Sequence, residues 1–474
     1  ELLPTTPESV VEVFHARAAL LREAFDDATC GELVRSTIAA RLRSEGLVSR
    51  IAEWVERSWS KVAFCRAFCN GDRERAAREY MRAYSVDRDS QYRIEAARVW
   101  FEAGNIRQSL DVLTSGVAAS PQDVDILHTL LTQLWQLTEY GSGQTNWITM
   151  RDYAARLLEL PGHEADPLGL LSRGEALRRL GESPEEADEC FRRVLEVAPT
   201  EPRVVLVQTE RLLDPAHIMR EAGVSRDVVR RDPALAARLV QSARDAARAV
   251  LEAGLVANPQ HPRLVVALAD LLAGGGGDGL SQARALLEGA VAANPDDPNV
   301  RLGMARLLLV MLNNTDPPPT GPARAALLDE VRTHLRAGLA AEPGLYEAYE
   351  LEARCALLSE DGAPGDRFRA ALAVCDRAME ETVGIATLRA TLGRGRYAEL
   401  LYNAFNTAMQ YWQQSTAPED REYALARAAA YTAASVASFP EALSTPLMEG
   451  TLAIAREDQP EALQKLTLAV ERSR

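Results

Sequence analysis

Apolar residues along this chain fall at helical spacing and stop at prolines. Before Pro259 stands Leu251, flanked by Ala247 and Gly254, and before Pro295 stands Leu287, flanked by Ala283 and Ala290. In both cases the steps run 4, 3 and 5 residues to the proline. The same order of small, bulky, small and proline returns as Ser109, Leu113, Gly116, Pro121 and as Ala187, Phe191, Val194, Pro199. Looser copies are Val331, Leu335, Gly338, Pro343 and Ala428, Thr432, Ser435, Pro440. Two more lack only the proline: Ala76, Tyr80, Ala83, Arg88 and Ala462, Leu466, Ala469, Arg474. Steps of 4 and 3 put three residues on one face of an α-helix. Small residues on that face admit a neighbouring helix, and the bulky one fills the gap. Proline lacks the backbone donor and restricts the residue before it, so the helix ends there. Pro262 and Pro298, a few residues further on, suit the first turn of the next helix.

Each of these helices follows another. Ala97, Trp100 and Gly104 mark a first helix and its turn, as do Gly174, Leu177 and Gly181. Ala305 with Leu308, and Gly450, mark two more. The unit is a helix–turn–helix of about 34 residues. On these residues the chain resembles the tetratricopeptide-repeat family from about Arg57 to Arg474. The segment Ser90–Asp123 carries most of the family's marks: Ala97, Trp100, Gly104, Ser109, Gly116 and Pro121. Val194 departs from the pattern, since a small residue is usual there.

The resemblance implies an all-α solenoid of antiparallel helix–turn–helix repeats forming a superhelix. It also implies a concave groove, lined by the first helix of each repeat, that takes extended or helical peptides. Carried onto this sequence, the groove face includes Lys61, Cys65, Phe68, Ile94, Arg98, Phe101, Leu171 and Glu175. The carboxylate clamp by which some members hold chaperone tails is not matched. Lys61 is followed one turn later by Cys65 in place of asparagine, and the next repeats offer Gln91, Ile94, Glu95, Arg98, Leu171 and Glu175.

About ten hairpins fit the chain by this period. Residues 1–50 form a helical lead-in or cap, residues 51–260 a first set of repeats, and residues 261–474 a second set ending in a C-terminal hairpin. Two repeats are interrupted, one by an insertion at 214–232 and one by a Pro-rich loop at 313–323. Both should have atypical turns.

Charge narrows the partner. The net charge over the 474 residues is 53 − 68 = −15, which argues against nucleic acid and leaves a protein or peptide as the expected partner. Self-association is open to such a surface. No apolar run approaches the roughly 20 residues needed to span a bilayer. A cytoplasmic setting is favoured, although a signal or anchor upstream of Glu1 would change that. The Ala-, Arg-, Leu- and Gly-rich wording suggests a bacterial source.

Candidate chemistry is sparse. The run Gly274–Gly279 lacks the Lys-Ser/Thr of a phosphate loop and follows a helix, so it reads as a turn. Cys65 and Cys69 share a helix face, but no histidine lies nearby in sequence except His15, and no metal or other cofactor is expected. The six histidines stand singly, and no nucleophile elbow or HExxH occurs. The expected role is a non-catalytic interaction scaffold. The alternatives are an all-helical enzyme resembling the α/α-toroid glycosidases, with carboxylates on the concave face, and a peptide-sensing regulator. One helix, Leu400–Pro418, carries no charge. Leu401, Phe405, Ala408 and Trp412 make its core stripe, and Asn403, Asn406 and Gln410 lie off it as a candidate neutral interface.

Overall fold

The computed structural model describes residues 73–139, 144–315, 317–360, 362–382 and 394–472. These residues form 21 helices and, among the described residues, no strand. The chain divides into two compact units at Pro184–Glu185. The first contains α1 (Arg73–Asp87), α2 (Ser90–Glu102), α3 (Ile106–Ala119), α4 (Val124–Glu139), α5 (Gln144–Leu158) and α6 (Pro167–Leu180). The second begins with α7 (Pro184–Val197), α8 (Pro202–Leu213), α9 (Pro215–Glu221), α10 (Arg226–Arg231) and α11 (Pro233–Ala257). It continues with α12 (Pro262–Ala273), α13 (Asp278–Ala293), α14 (Pro298–Asn314), α15 (Gly321–Ala341) and α16 (Tyr346–Leu358). It ends with α17 (Pro364–Thr382), α18 (Arg394–Gln414), α19 (Pro418–Ser438), α20 (Ser444–Ala455) and α21 (Gln459–Arg472). The boundary drawn at 260/261 lies inside the second unit, where α11 and α12 pack through Leu251 and Leu264.

The 4-3-5 register is the packing register. Leu113, Leu251 and Leu287 are fully buried, and so are Ala247 and Ala283 beside them. Burial of each leucine contributes about 2 kcal/mol. Val194 is also buried, so the departure from a small residue there is absorbed by the core. Leu466, on the last helix, is half-buried. The residue before each closing proline makes the final helical bond. Asn258 donates to Gly254 O (2.9 Å), Asn294 to Ala290 O (2.8 Å) and Glu342 to Gly338 O (2.9 Å). Proline then ends the ladder, and a second proline opens the next helix. Asp166, Glu201 and Asp297 cap such starts by accepting from Gly169, Val204 and Val300 backbone N–H groups.

Small residues appear where helices come closest. A Cβ on Gly254 would stand 2.9 Å from Val205 Cγ1, and one on Gly450 would stand 2.7 Å from Leu466 Cγ. The turns use glycine for its left-handed backbone. Gly104 (φ 78°) and Gly181 (φ 70°) sit at equivalent positions, and Glu457 (φ 64°) holds the same conformation seven residues after Gly450.

Helices of each hairpin pack on one another, as in α12–α13, α14–α15, α16–α17, α18–α19 and α20–α21. The first helices α8, α12, α14, α16, α18 and α20 also touch in succession, which sets them side by side. This is the all-α tandem-hairpin solenoid anticipated from the spacing. The insertion is not a loop. It folds as α9 and α10 and runs into a 25-residue α11. The Pro-rich loop is shorter than 313–323, because α14 extends through Asn314 and α15 starts at Gly321. The glycine run is the α12–α13 turn, with Gly276 and Gly277 at positive φ. Cys355 and Cys375 are buried free thiols, and Cys190 is buried too. Burial pushes Cys355 and Cys375 up to about 12. The lead-in at 1–50 and Cys65 with Cys69 lie outside the described residues.

Candidate functional site

First helices bury much of their surface, and what remains is a strip. On α2 eight of 13 residues are buried, because the helix packs against α1, α3 and α4. Ile94 (1% exposed) and Phe101 (3%) are among them, and Leu171 (2%) and Glu175 (1%) are buried on α6. These four side chains belong to the packing and do not line a groove. Arg98 is exposed and pairs with Glu95 at 2.9 Å. Lys61, Cys65 and Phe68 lie outside the described residues.

Glu175 has a structural task. It accepts from Arg178 Nε and Nη2 (2.7 and 2.6 Å) and from Arg179 Nε (2.6 Å), one turn along the same helix. Nearby in the first unit, His128 on α4 meets the α6 capping residue Asp166 at 2.8 Å. That hydrogen bond holds the His128 imidazole above its ordinary 6.5. Burial works to raise the Asp166 carboxyl, but the bonds from His128 and from the Gly169 N–H outweigh it and leave it below its usual range. A raised histidine contributes stability fully present below pH 6.5 and lost as pH rises through the raised value. A His128→Gln variant should therefore melt below the native protein at about pH 6 and converge with it by about pH 9. Parallel melting curves across that window would rule out the contribution.

The second unit carries a continuous polar strip across α12, α14, α16 and α18. Its residues share a register. Asp270, Arg306 and Arg354 each stand 11 residues after a closing proline (Pro259, Pro295 and Pro343). Arg306 on α14 reaches Asp270 on α12 at 3.2 Å and Glu347 on α16 at 3.3 Å. Glu350 on α16 accepts from Asn403 Nδ2 on α18 at 2.9 Å. The partial enclosure of Asp270 and Glu350 by neighbouring helices pushes both carboxyls upward, against the opposing effects of Arg306 and Asn403. Arg354 is exposed and, among the described residues, makes no ion pair with these carboxylates.

Two shallow clefts flank Arg306 and Val310. One, of about 490 Å³, is bounded by Asp270, the Gly274–Gly276 turn and Asn314. The other, of about 460 Å³, is bounded by Asn313, Leu351 and Arg354. On α18 the core stripe holds: Leu401, Phe405 and Ala408 are buried and Trp412 is half-buried. Asn403 and Gln410 are exposed and Asn406 is half-buried, so this polar edge adjoins Glu350. Sequence reasoning left out Asp270, Arg306 and Arg354. Their common distance from the prolines was the signal that could have found them.

Among the described residues no group of three or more His, Cys, Asp or Glu is arranged to hold a metal, and no helix is long and apolar enough to cross a membrane. No protein-family model matches the chain, and no curated protein matches it in sequence. Solved structures of similar fold include a tetratricopeptide repeat protein from Parabacteroides merdae, at 13% identity over 64% of this chain and 99% of that one, with a TM-score of 0.42. The human IFIT1 dimer with m7Gppp-AAAA shares 11% identity over 88% of this chain and 90% of that one, with a TM-score of 0.41. Yeast Tom70 shares 12% identity over 89% of this chain and 95% of that one, with a TM-score of 0.31. IFIT1 is also seen with PPP-AAAA. The expectation that nucleic acid is no partner is withdrawn, since a protein of similar fold is seen with m7Gppp-AAAA and with PPP-AAAA. At these identities the likeness concerns the fold alone, which is a helical repeat of the tetratricopeptide-like kind.

Proposed function

We propose that the chain is a non-catalytic scaffold that holds an extended or helical segment of a partner protein across α12, α14, α16 and α18 of the second unit. The observation that carries this reading is the shared register of Asp270, Arg306 and Arg354 on successive first helices. A ligand lying across them meets charges of alternating demand. The carboxylates of Asp270, Glu347 and Glu350 suit a basic side chain, and Arg354 suits an acidic one or a backbone carbonyl. The shallow clefts beside Val310 accept small apolar side chains between these contacts.

The test is selection from a displayed peptide library, followed by affinity measurement on purified variants. Selected peptides should bind Arg354→Glu about tenfold or more weakly, and Gln410→Glu more weakly too, with helix content and melting temperature unchanged. Failure to enrich any peptide, or equal binding by both variants, would overturn the proposal.

A further inference from the structure

One stretch of the second unit contributes almost nothing to its core. From Pro215 to Ala246 only His217 is buried. The stretch comprises α9, α10 and the first half of α11. On α10 no residue is buried, and on α11 the buried residues are Ala247, Leu251 and Gly254, all in the second half. Local signals build this arm. Asp214 and Asp232 cap helices that open with Pro215 and Pro233, accepting from the Ala216 and Leu235 N–H groups at 2.9 Å. Gly223 (φ 64°) ends α9, with its own N–H bonded to Arg220 O and that of Val224 to Met219 O. Ordering so many residues costs chain entropy that burial does not offset here. What the arm offers is surface.

That surface differs in sign from the rest of the chain. Between Pro215 and Ala246 stand six arginines and four acids (6 − 4 = +2), whereas the whole chain has 53 − 68 = −15. Two of the four acids are engaged, Asp232 as the cap and Asp245 as acceptor from Gln241 at 2.8 Å. Arg226, Arg230, Arg231 and Arg238 are exposed and make no side-chain hydrogen bond or ion pair among the described residues. Val228 and Val240 are 46% and 49% exposed on the same two helices. No Phe, Tyr or Trp occurs between 215 and 246 and His217 is buried, so the arm has no exposed platform on which a base would stack.

We propose that this arm docks an acidic amphipathic segment of a partner protein, its carboxylates on the four arginines and its apolar residues against Val228 and Val240. The arm is a second surface, built from other residues than the strip across the first helices.

The full chain is titrated with an acidic amphipathic helical peptide of about 20 residues, in salt from about 0.05 to about 0.5 M. The peptide should bind, with affinity falling as salt rises. The variant R226E/R230E/R231E/R238E should lose at least about tenfold in affinity with its melting temperature unchanged. V228S/V240S should bind more weakly than the native chain at the highest salt, where charge is screened and apolar contact remains. Arg354→Glu should leave this binding intact, which separates it from the first-helix strip. Absence of binding, or native affinity in the four-arginine variant, overturns the proposal. So does equal binding of polyglutamate, of a single-stranded oligonucleotide or of phosphatidylserine vesicles. Arm-dependent self-association in sedimentation would make the occupant a second copy of the chain and would overturn it too.

Discussion

Leu287→Ala is expected to lower the stability of the second unit by about 3 kcal/mol. Leu287 is fully buried on α13, at the bulky position of the register between Ala283 and Ala290. It shares one apolar cluster with Val266, Ala305, Leu308 and Leu328, contributed by α12, α14 and α15. Truncation removes its transfer free energy and leaves a hole whose walls are helices already in contact through small residues. Those helices have little room to move inward, so the cavity term persists. In a repeat array the effect falls first on the hairpin and its neighbours. Hydrogen exchange should show lost protection in α12 to α14 with α2 to α4 unaffected, alongside a lower urea midpoint. A loss below about 1 kcal/mol would mean that the helices close around the gap.

Glu175→Ala is expected to cost about 2 kcal/mol in the first unit, what hydrogen bonds to a charged group contribute. The carboxylate is 1% exposed and holds both Arg178 and Arg179. Arg178 and Arg179 are 20% and 44% exposed, so their guanidinium groups regain water when the carboxylate is gone, which limits the loss. Glu175→Gln keeps the shape and one acceptor and should lie between alanine and the native chain. Urea unfolding of the three proteins measures the order. Were Glu175 a ligand contact, as the family resemblance implied, the alanine variant would keep its stability and lose peptide binding instead.

That contrast shows what was legible in the sequence. The proline-terminated register is a local signal, since each hairpin declares its helix ends, its packing face and its turn within its own residues. Leu113, Leu251, Leu287 and the small residues around them could be read directly. Sidedness could not. Ile94, Phe101 and Leu171 sit on first helices, but such a helix is covered by its own partner and by neighbouring helices, and only a narrow strip stays open. Which residues fall on that strip depends on how successive hairpins are set against each other, and the 3.6-residue period of one helix does not contain that angle. The Asp270–Arg306–Glu347 chain spans three hairpins, so its members meet only in the folded array. The arm was visible as an interruption of the count, but its helicity rests on caps whose bonds the count ignores.

The closing of the chain into successive local hairpins has a kinetic consequence. Because most of a hairpin's partners lie within about 34 residues of it, little chain must be searched to bring them together. A nascent chain leaving the ribosome can therefore complete one hairpin before the next has been synthesised, and each finished pair offers a template for the helix that follows.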